Sequence, residues 1–201
     1  QNMGLAGIPW WTTDIGGFHG GYTEHEDFRE LFVRWFQFGT FCPVMRVHGD
    51  REPHRPGIGD GGGMMVAGAD NEIWSYGEKA YPILTKFHAL RYRMQPYIKR
   101  LMQEAHAFGT PVMRTLFFNF PEDKKAWDIE DQFMFGGDIL VAPVLYAGQE
   151  KRSVYLPEGA RWVDFFDKSK VYEGGQTIEV DTPFDTIPVF AREGVDLGFD
   201  W

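Results

Sequence analysis

The period of the apolar pattern changes near Gly137, and no architecture built from one kind of layer accommodates both halves. Between Glu26 and Phe38, apolar residues fall at Phe28, Leu31, Phe32, Trp35 and Phe36. Spacing of three and four marks an amphipathic helix, with Gly39 as its expected end. A second helix is expected after Ser75 and Pro82. Ile83, Leu84, Phe87, Leu90, Met94, Ile98, Leu101 and Met102 form its stripe, Gly109 ends it, and Pro96 should kink it by removing a backbone donor. Around these helices lie near-continuous apolar runs at 4–12, 40–49 and 110–123, read as strands buried on both faces. Strand and helix in alternation predict parallel βα units, hence an α/β fold. After a short helical stretch expected at 128–135, the runs DILVAPVL, KRSVYLP, RWVDFF, QTIEV and IPVFAR alternate with Gly, Pro and Asp turns. That pattern predicts an antiparallel all-β part. The division is placed near Gly137, with residues 1–137 in the α/β part and 138–201 in the β part.

Composition narrows the functional class. At 201 residues and 43% hydrophobic content the chain holds one large domain or parts of two, with a sizeable core. No apolar run approaches the ~20 residues that span a bilayer, so no membrane span is expected. A net charge of -9, with basic pairs only as short as Lys99-Arg100 and Lys151-Arg152, disfavours a nucleic-acid partner. Aromatic residues reach 16% with seven Trp, which suits a large core or a surface that stacks on flat apolar faces such as sugar rings. The single Cys42 can form neither an intrachain disulfide nor a CxxC metal site and reads as a buried small hydrophobe. Gln1 opens the chain with no visible targeting signal, and GLAGIPWWTTD reads as a strand already entering a site, as if the chain began in mid-domain.

Asp14, Arg46 and His48 form the strongest chemical cluster, at two expected strand ends flanked by Trp10, Trp11 and Phe18. The C-terminal strand ends of a parallel barrel share one mouth, so these groups could converge on a ligand. A carboxylate and an imidazole bond hydroxyls while aromatic rings lie against C–H faces, a combination suited to a sugar. On residues alone, an Asp14 that caps the Gly16-Gly17 turn and a His48 satisfied within the core account for the pattern equally well. His19, His25, His48 and His54 lack the HxxxH or HExxH spacing of zinc ligands, and no metal is expected. No GxSxG elbow, phosphate loop or dinucleotide fingerprint occurs, so no cofactor is expected. The GDGGG run at 59–63 lies in a long Gly- and Pro-rich loop expected over 50–72, and Glu122-Asp123 beside Pro121 read as a turn.

Four strings, in order, carry a resemblance: WWTTDIGGF, RWFQFGTFCPVMRVHG, RYRMQPYI with GTPVMR, and DQFMFGGDILVAPV with VYLPEGARWVD. The chain resembles glycoside hydrolase family 31 along nearly its whole length. That resemblance implies the last three strands of a (β/α)8 barrel followed by the start of a β-sandwich. It implies retaining hydrolysis of terminal α-linked xylosyl or glucosyl residues, with an oligosaccharide or α-glycoside as substrate. Two carboxylates roughly 5 Å apart would act as nucleophile and acid/base. The family places both upstream of WWTTDIGGF, in K-x-D-like and W-x-G-D-like motifs that residues 1–201 do not contain. No catalytic residue is therefore expected in this chain, whose missing partner is the N-terminal part of the same barrel. By the same resemblance Asp14 is an additional pocket carboxylate, Phe18 the apolar wall of the glycone subsite and His48 a donor to a glycone hydroxyl. Arg46 supports the loop, and Trp11 stacks on the sugar or packs beneath it. A non-catalytic carbohydrate-binding or structural piece is the competing reading.

Overall fold

The computed structural model describes residues 1–54 and 68–201, so the GDGGG run lies outside the described residues. Elements follow in the order α1 (Asn2–Leu5), β1 (Asp14–Ile15), α2 (Glu26–Thr40), β2 (Arg46–Val47), α3 (Ala80–Arg93), α4 (Gln95–Phe108), β3 (Met113–Arg114) and α5 (Leu116–Asn119). The β-rich remainder comprises β4 (Phe133–Phe135), β5 (Ile139–Val141), β6 (Lys151–Leu156), β7 (Arg161–Asp164), β8 (Val171–Glu173), β9 (Gln176–Asp181) and β10 (Val189–Arg192). Short 3₁₀ turns sit at Ile73–Tyr76 and Lys124–Trp127.

A strand exists only where a ladder partner exists, and this rule accounts for most departures from the apolar pattern. The run at 4–12 is not a strand. Residues 2–5 form the turn of helix α1, and regular pairing begins at Asp14, which lies opposite Arg46 in a two-stranded parallel pair. The run at 110–123 likewise contributes only β3, which pairs antiparallel with β4 rather than alongside β2. The expected helix at 128–135 is displaced: a 3₁₀ turn occupies 124–127 and β4 follows. Asp123 Oδ1 accepts from the backbone N–H of Lys125 and Ala126, starting that turn early.

The helices keep their expected faces. α2 runs one residue past Gly39 instead of ending there. Gly39 serves close approach, since a Cβ at this position would lie 2.7 Å from Ile15 Cδ1 on β1. The expected kinked helix is two helices, broken at Met94, with Pro96 in the first turn of α4, where its missing N–H costs nothing. Gly109 caps α4 with φ 71°, as a left-handed C-cap requires. Among the described residues no helix is long and apolar enough to cross a membrane.

Six strands form one sheet in the order β3-β4-β5-β10-β7-β8, and β6 pairs with β9 in a second sheet. Strands β4, β5 and β10 of the larger sheet are buried on both faces, while its edge strand β8 is largely exposed. Phe133, Phe135, Ile139, Val141, Val189 and Ala191 pack with Phe32, Phe36, Leu84 and Phe87 of the helices. Met134, Leu140, Trp162 and Phe190 turn the other way, onto Val154, Tyr155 and Leu156 of β6. The division near Gly137 falls within this sheet, with β3 and β4 before it and its other four strands after it.

Two outcomes follow from this packing. Gly136 adopts φ 68°, and a Cβ there would lie 2.4 Å from Tyr97 Oη, which donates to the Phe135 carbonyl. Gly136→Ala should therefore cost about 1–3 kcal/mol, read as a lowered urea midpoint at unchanged slope. Cys42 is fully buried and its thiol is pushed up to about 12 by that burial. At pH 8 the folded chain should be alkylated by iodoacetamide on the order of a thousandfold more slowly than the urea-unfolded chain. Similar rates in both states would show that the thiol is accessible.

Candidate functional site

The β1–β2 pair delivers two loops to one place. Downstream of the Asp14–Arg46 and Ile15–Val47 register, the loops stay joined: Asp50 N–H donates to the Phe18 carbonyl at 2.9 Å, and Glu52 N–H to the Gly21 carbonyl at 2.9 Å. Gly17 N–H donates to the Asp14 carbonyl at 2.8 Å, closing the turn after β1, and Gly16 and Gly17 both take φ 87°. Only glycine enters that region without strain, which is why the turn needs the Gly-Gly pair. Trp35 of α2 donates from Nε1 to Thr13 Oγ1 at 3.2 Å, holding the approach to Asp14 against the helix.

Four of the five sequence-selected residues come together on this surface. Asp14 Oδ1 accepts from Arg46 Nη2 across the strand pair, and the Asp14 side chain is the more covered of the two, at 19% against 49% exposure. Phe18 is 53% exposed, and its ring lies 5.5 Å from that of His48, itself exposed. His19 packs edge-on against Phe18, with ring centroids 4.4 Å apart. Trp11 differs from the rest: it is half-buried and packs against the main core, while its carbonyl accepts from Val44 N–H at 3.1 Å. The neighbouring Trp10 is exposed. A held carboxylate, a reachable imidazole and an open aromatic face can bond hydroxyls and cover a C–H face.

Arg51 is the site residue that pattern reading missed. Its side chain is fully buried, and its guanidinium donates to the carbonyls of Gly17 (2.9 Å), Gly20 (3.1 Å), Asp50 (3.1 Å), Ile15 (3.1 Å) and His48 (3.4 Å). Nε is shared between Asn71 Oδ1 at 3.2 Å and Tyr76 Oη at 3.1 Å. The Phe28 ring lies 5.3 Å from the guanidinium carbon. Tyr76 donates onward to Asn71 Oδ1 at 2.5 Å and stacks on Phe32 at 3.6 Å. Burial pushes the Tyr76 hydroxyl up to about 12, so it remains a donor through the neutral range. A lone arginine in a polar stretch leaves no periodic signal. Its one trace was its place three residues beyond His48.

Residues 1–101 match the model of the "Glycosyl hydrolases family 31 TIM-barrel domain", and residues 109–195 that of the "Glycosyl hydrolase family 31 C-terminal domain". The chain belongs to glycosyl hydrolase family 31. It is 38% identical over 196 residues to an alpha-xylosidase of Saccharolobus solfataricus, covering 98% of this chain and 24% of that protein. It is 34% identical over 194 residues to alpha-glucosidase 2 of Bacillus thermoamyloliquefaciens, covering 96% of this chain and 22% of that protein. The chain thus spans about a quarter of the length of these relatives. Among solved structures, a GH31 alpha-xylosidase from a soil metagenome, complexed with xylose, superimposes with a TM-score of 0.93 at 54% identity, covering 98% of this chain and 29% of that one. The architecture is accordingly the end of a TIM-barrel domain followed by a C-terminal β domain.

The half-exposed Asp14–Arg46 pair is a weak stabiliser by the standard of surface ion pairs. Asp14→Asn should change unfolding free energy by no more than about 1 kcal/mol. A larger loss in urea titration would mean that Asp14 holds the β1–β2 pair together.

Proposed function

We propose that the chain is the C-terminal portion of the catalytic region of a retaining α-glycosidase that removes terminal α-linked xylosyl or glucosyl residues. The observation that carries this reading is the convergence of Asp14, Phe18 and His48 on the paired β1 and β2 loops, in a chain of this family. Support for a xylosyl glycone comes from the 54% identity to the alpha-xylosidase complexed with xylose. The roles follow from what each group can do. Phe18 offers an apolar wall to the C–H face of the ring, and His48 donates to a hydroxyl. The Asp14 carboxylate, held by Arg46, accepts from a hydroxyl or orients its neighbours, and Trp11 supports the floor. The nucleophile and acid/base carboxylates would come from a preceding part of the barrel, whose strands would continue the parallel pairing that β1 and β2 begin. We assign β3 onward to the β domain, because β3 joins the six-stranded sheet.

A carbohydrate-binding or structural role without turnover is the alternative for the 201 residues in isolation. Exposed Ile8, Trp10, Val44 and Val47 beside the two-stranded pair favour it, since such a surface calls for cover by further chain. The purified chain should not hydrolyse 4-nitrophenyl α-xyloside or α-glucoside. Turnover that Asp14→Asn abolishes would make Asp14 catalytic and overturn the assignment. In a longer protein that carries the preceding barrel strands, His48→Ala should lower kcat/KM by roughly 5- to 150-fold, the equivalent of about 1–3 kcal/mol for an interaction lost with a hydroxyl. Unchanged kinetics would remove His48 from the site.

A further inference from the structure

We propose that Arg51 is the positioning residue of this site: its guanidinium sets the Phe18 ring and the His48 imidazole in one register by tying their two loops through backbone carbonyls. The inference rests on the reading of that surface as a glycone pocket, and it adds a residue that touches no sugar. The five carbonyls divide between the segments. Ile15 at the end of β1 and Gly17 and Gly20 of the loop that follows it belong to the segment that carries Phe18, while His48 and Asp50 belong to the loop that carries His48. Phe18 lies between two clamped positions, and His48 is itself clamped at its carbonyl.

The surroundings leave the guanidinium little freedom. A Cβ at Gly16 would lie 2.7 Å from Arg51 Nη2, and one at Gly49 3.1 Å from Nη1 and 2.3 Å from the Gly17 carbonyl oxygen. Both loops therefore press on the cation at glycines. Asn71, Tyr76 and Phe28 close the remaining sides. A guanidinium offers five donors in a rigid plane, whereas an ammonium is a compact group with three donors and cannot reach both loops in this pattern. Lysine at this position would keep the charge and lose the register.

The test uses a longer protein that carries the preceding barrel strands, with Arg51→Lys, Arg51→Ala and, as a site control, His48→Ala. Amide exchange at Asp50 and Glu52 reads the loop junction, because these N–H groups donate to the Phe18 and Gly21 carbonyls of the other loop. The His48 ring signals in an NMR titration with methyl α-D-xyloside read the site. Arg51→Lys should exchange at both amides at least about tenfold faster, with α3 and α4 amides unchanged, and should lose the His48 response. Millimolar guanidinium should restore both readouts in Arg51→Ala, which a general loss of stability would not allow. If Arg51→Ala does not fold, Arg51→Lys carries the test. Unchanged exchange and an unchanged xyloside response in Arg51→Lys would overturn the proposal. A wild-type chain whose His48 signals ignore the xyloside would defeat the glycone reading, and the exchange rates would still decide whether Arg51 joins the loops.

Discussion

One buried cation compensates for very short strands. β1 and β2 share only a two-residue ladder, so the chain that follows each leaves sheet geometry with carbonyls still requiring donors. Loops ordinarily meet that need with water. Here Arg51 meets it with a single rigid group. Taking a guanidinium out of water costs several kcal/mol unless its donors are satisfied, and the carbonyls would carry a similar penalty if left alone. Each deficit cancels the other. The Gly-Gly turn, the positive φ at Gly49 and the pairing of Phe18 with Asp50 are all arranged about that exchange.

The same device recurs at two other junctions of helix and loop. Arg91 of α3 donates to the carbonyls of Thr40, Cys42 and Pro43 at 2.7–2.8 Å, fixing the segment between α2 and β2. Burial lowers the Arg91 guanidinium to about 10, a measure of how far it is removed from water. Arg34 of α2 reaches the carbonyls of Thr182, Pro183 and Thr186, and Gln37 that of Phe184, so the loop before β10 is held to the helix that supports β1. Through α2 the candidate site and the β domain share one support: Gly39 admits Ile15 of β1 on one side, and Arg34 grips the 182–186 loop on another.

Such a framework suits a sugar pocket. Hydroxyl recognition depends on angles between donors, and loops that fray lose those angles first. Carbonyls that point inward to arginine leave side chains free to point outward, which is how Phe18 and His48 remain open above a closed backbone.

Helical faces were legible from sequence because 3.6-residue periodicity records one buried side, as at Phe28, Phe32 and Phe36 of α2. The antiparallel β segment was legible from its turn spacing. That WWTTDIGGF and RVHG would lie together was legible too, because each joins polar groups to a chain reversal at a strand end. Apolar runs misled where they stood for burial rather than pairing. FMF, ILV and VFA are continuous because the strands they form, β4, β5 and β10, are covered on both faces, and the same signal at 4–12 and 110–123 accompanied almost no strand. What the sequence determined by itself was which residues turn from water and which segments carry chemistry, since both are written in side-chain type and local spacing. Only the tertiary structure decided which runs found ladder partners, that Trp11 packs against the main core while Phe18 is exposed, and that Arg51 binds the two loops. Each depends on backbone groups far apart in the chain meeting in space, and a carbonyl in need of a donor leaves no mark on the identity of its residue.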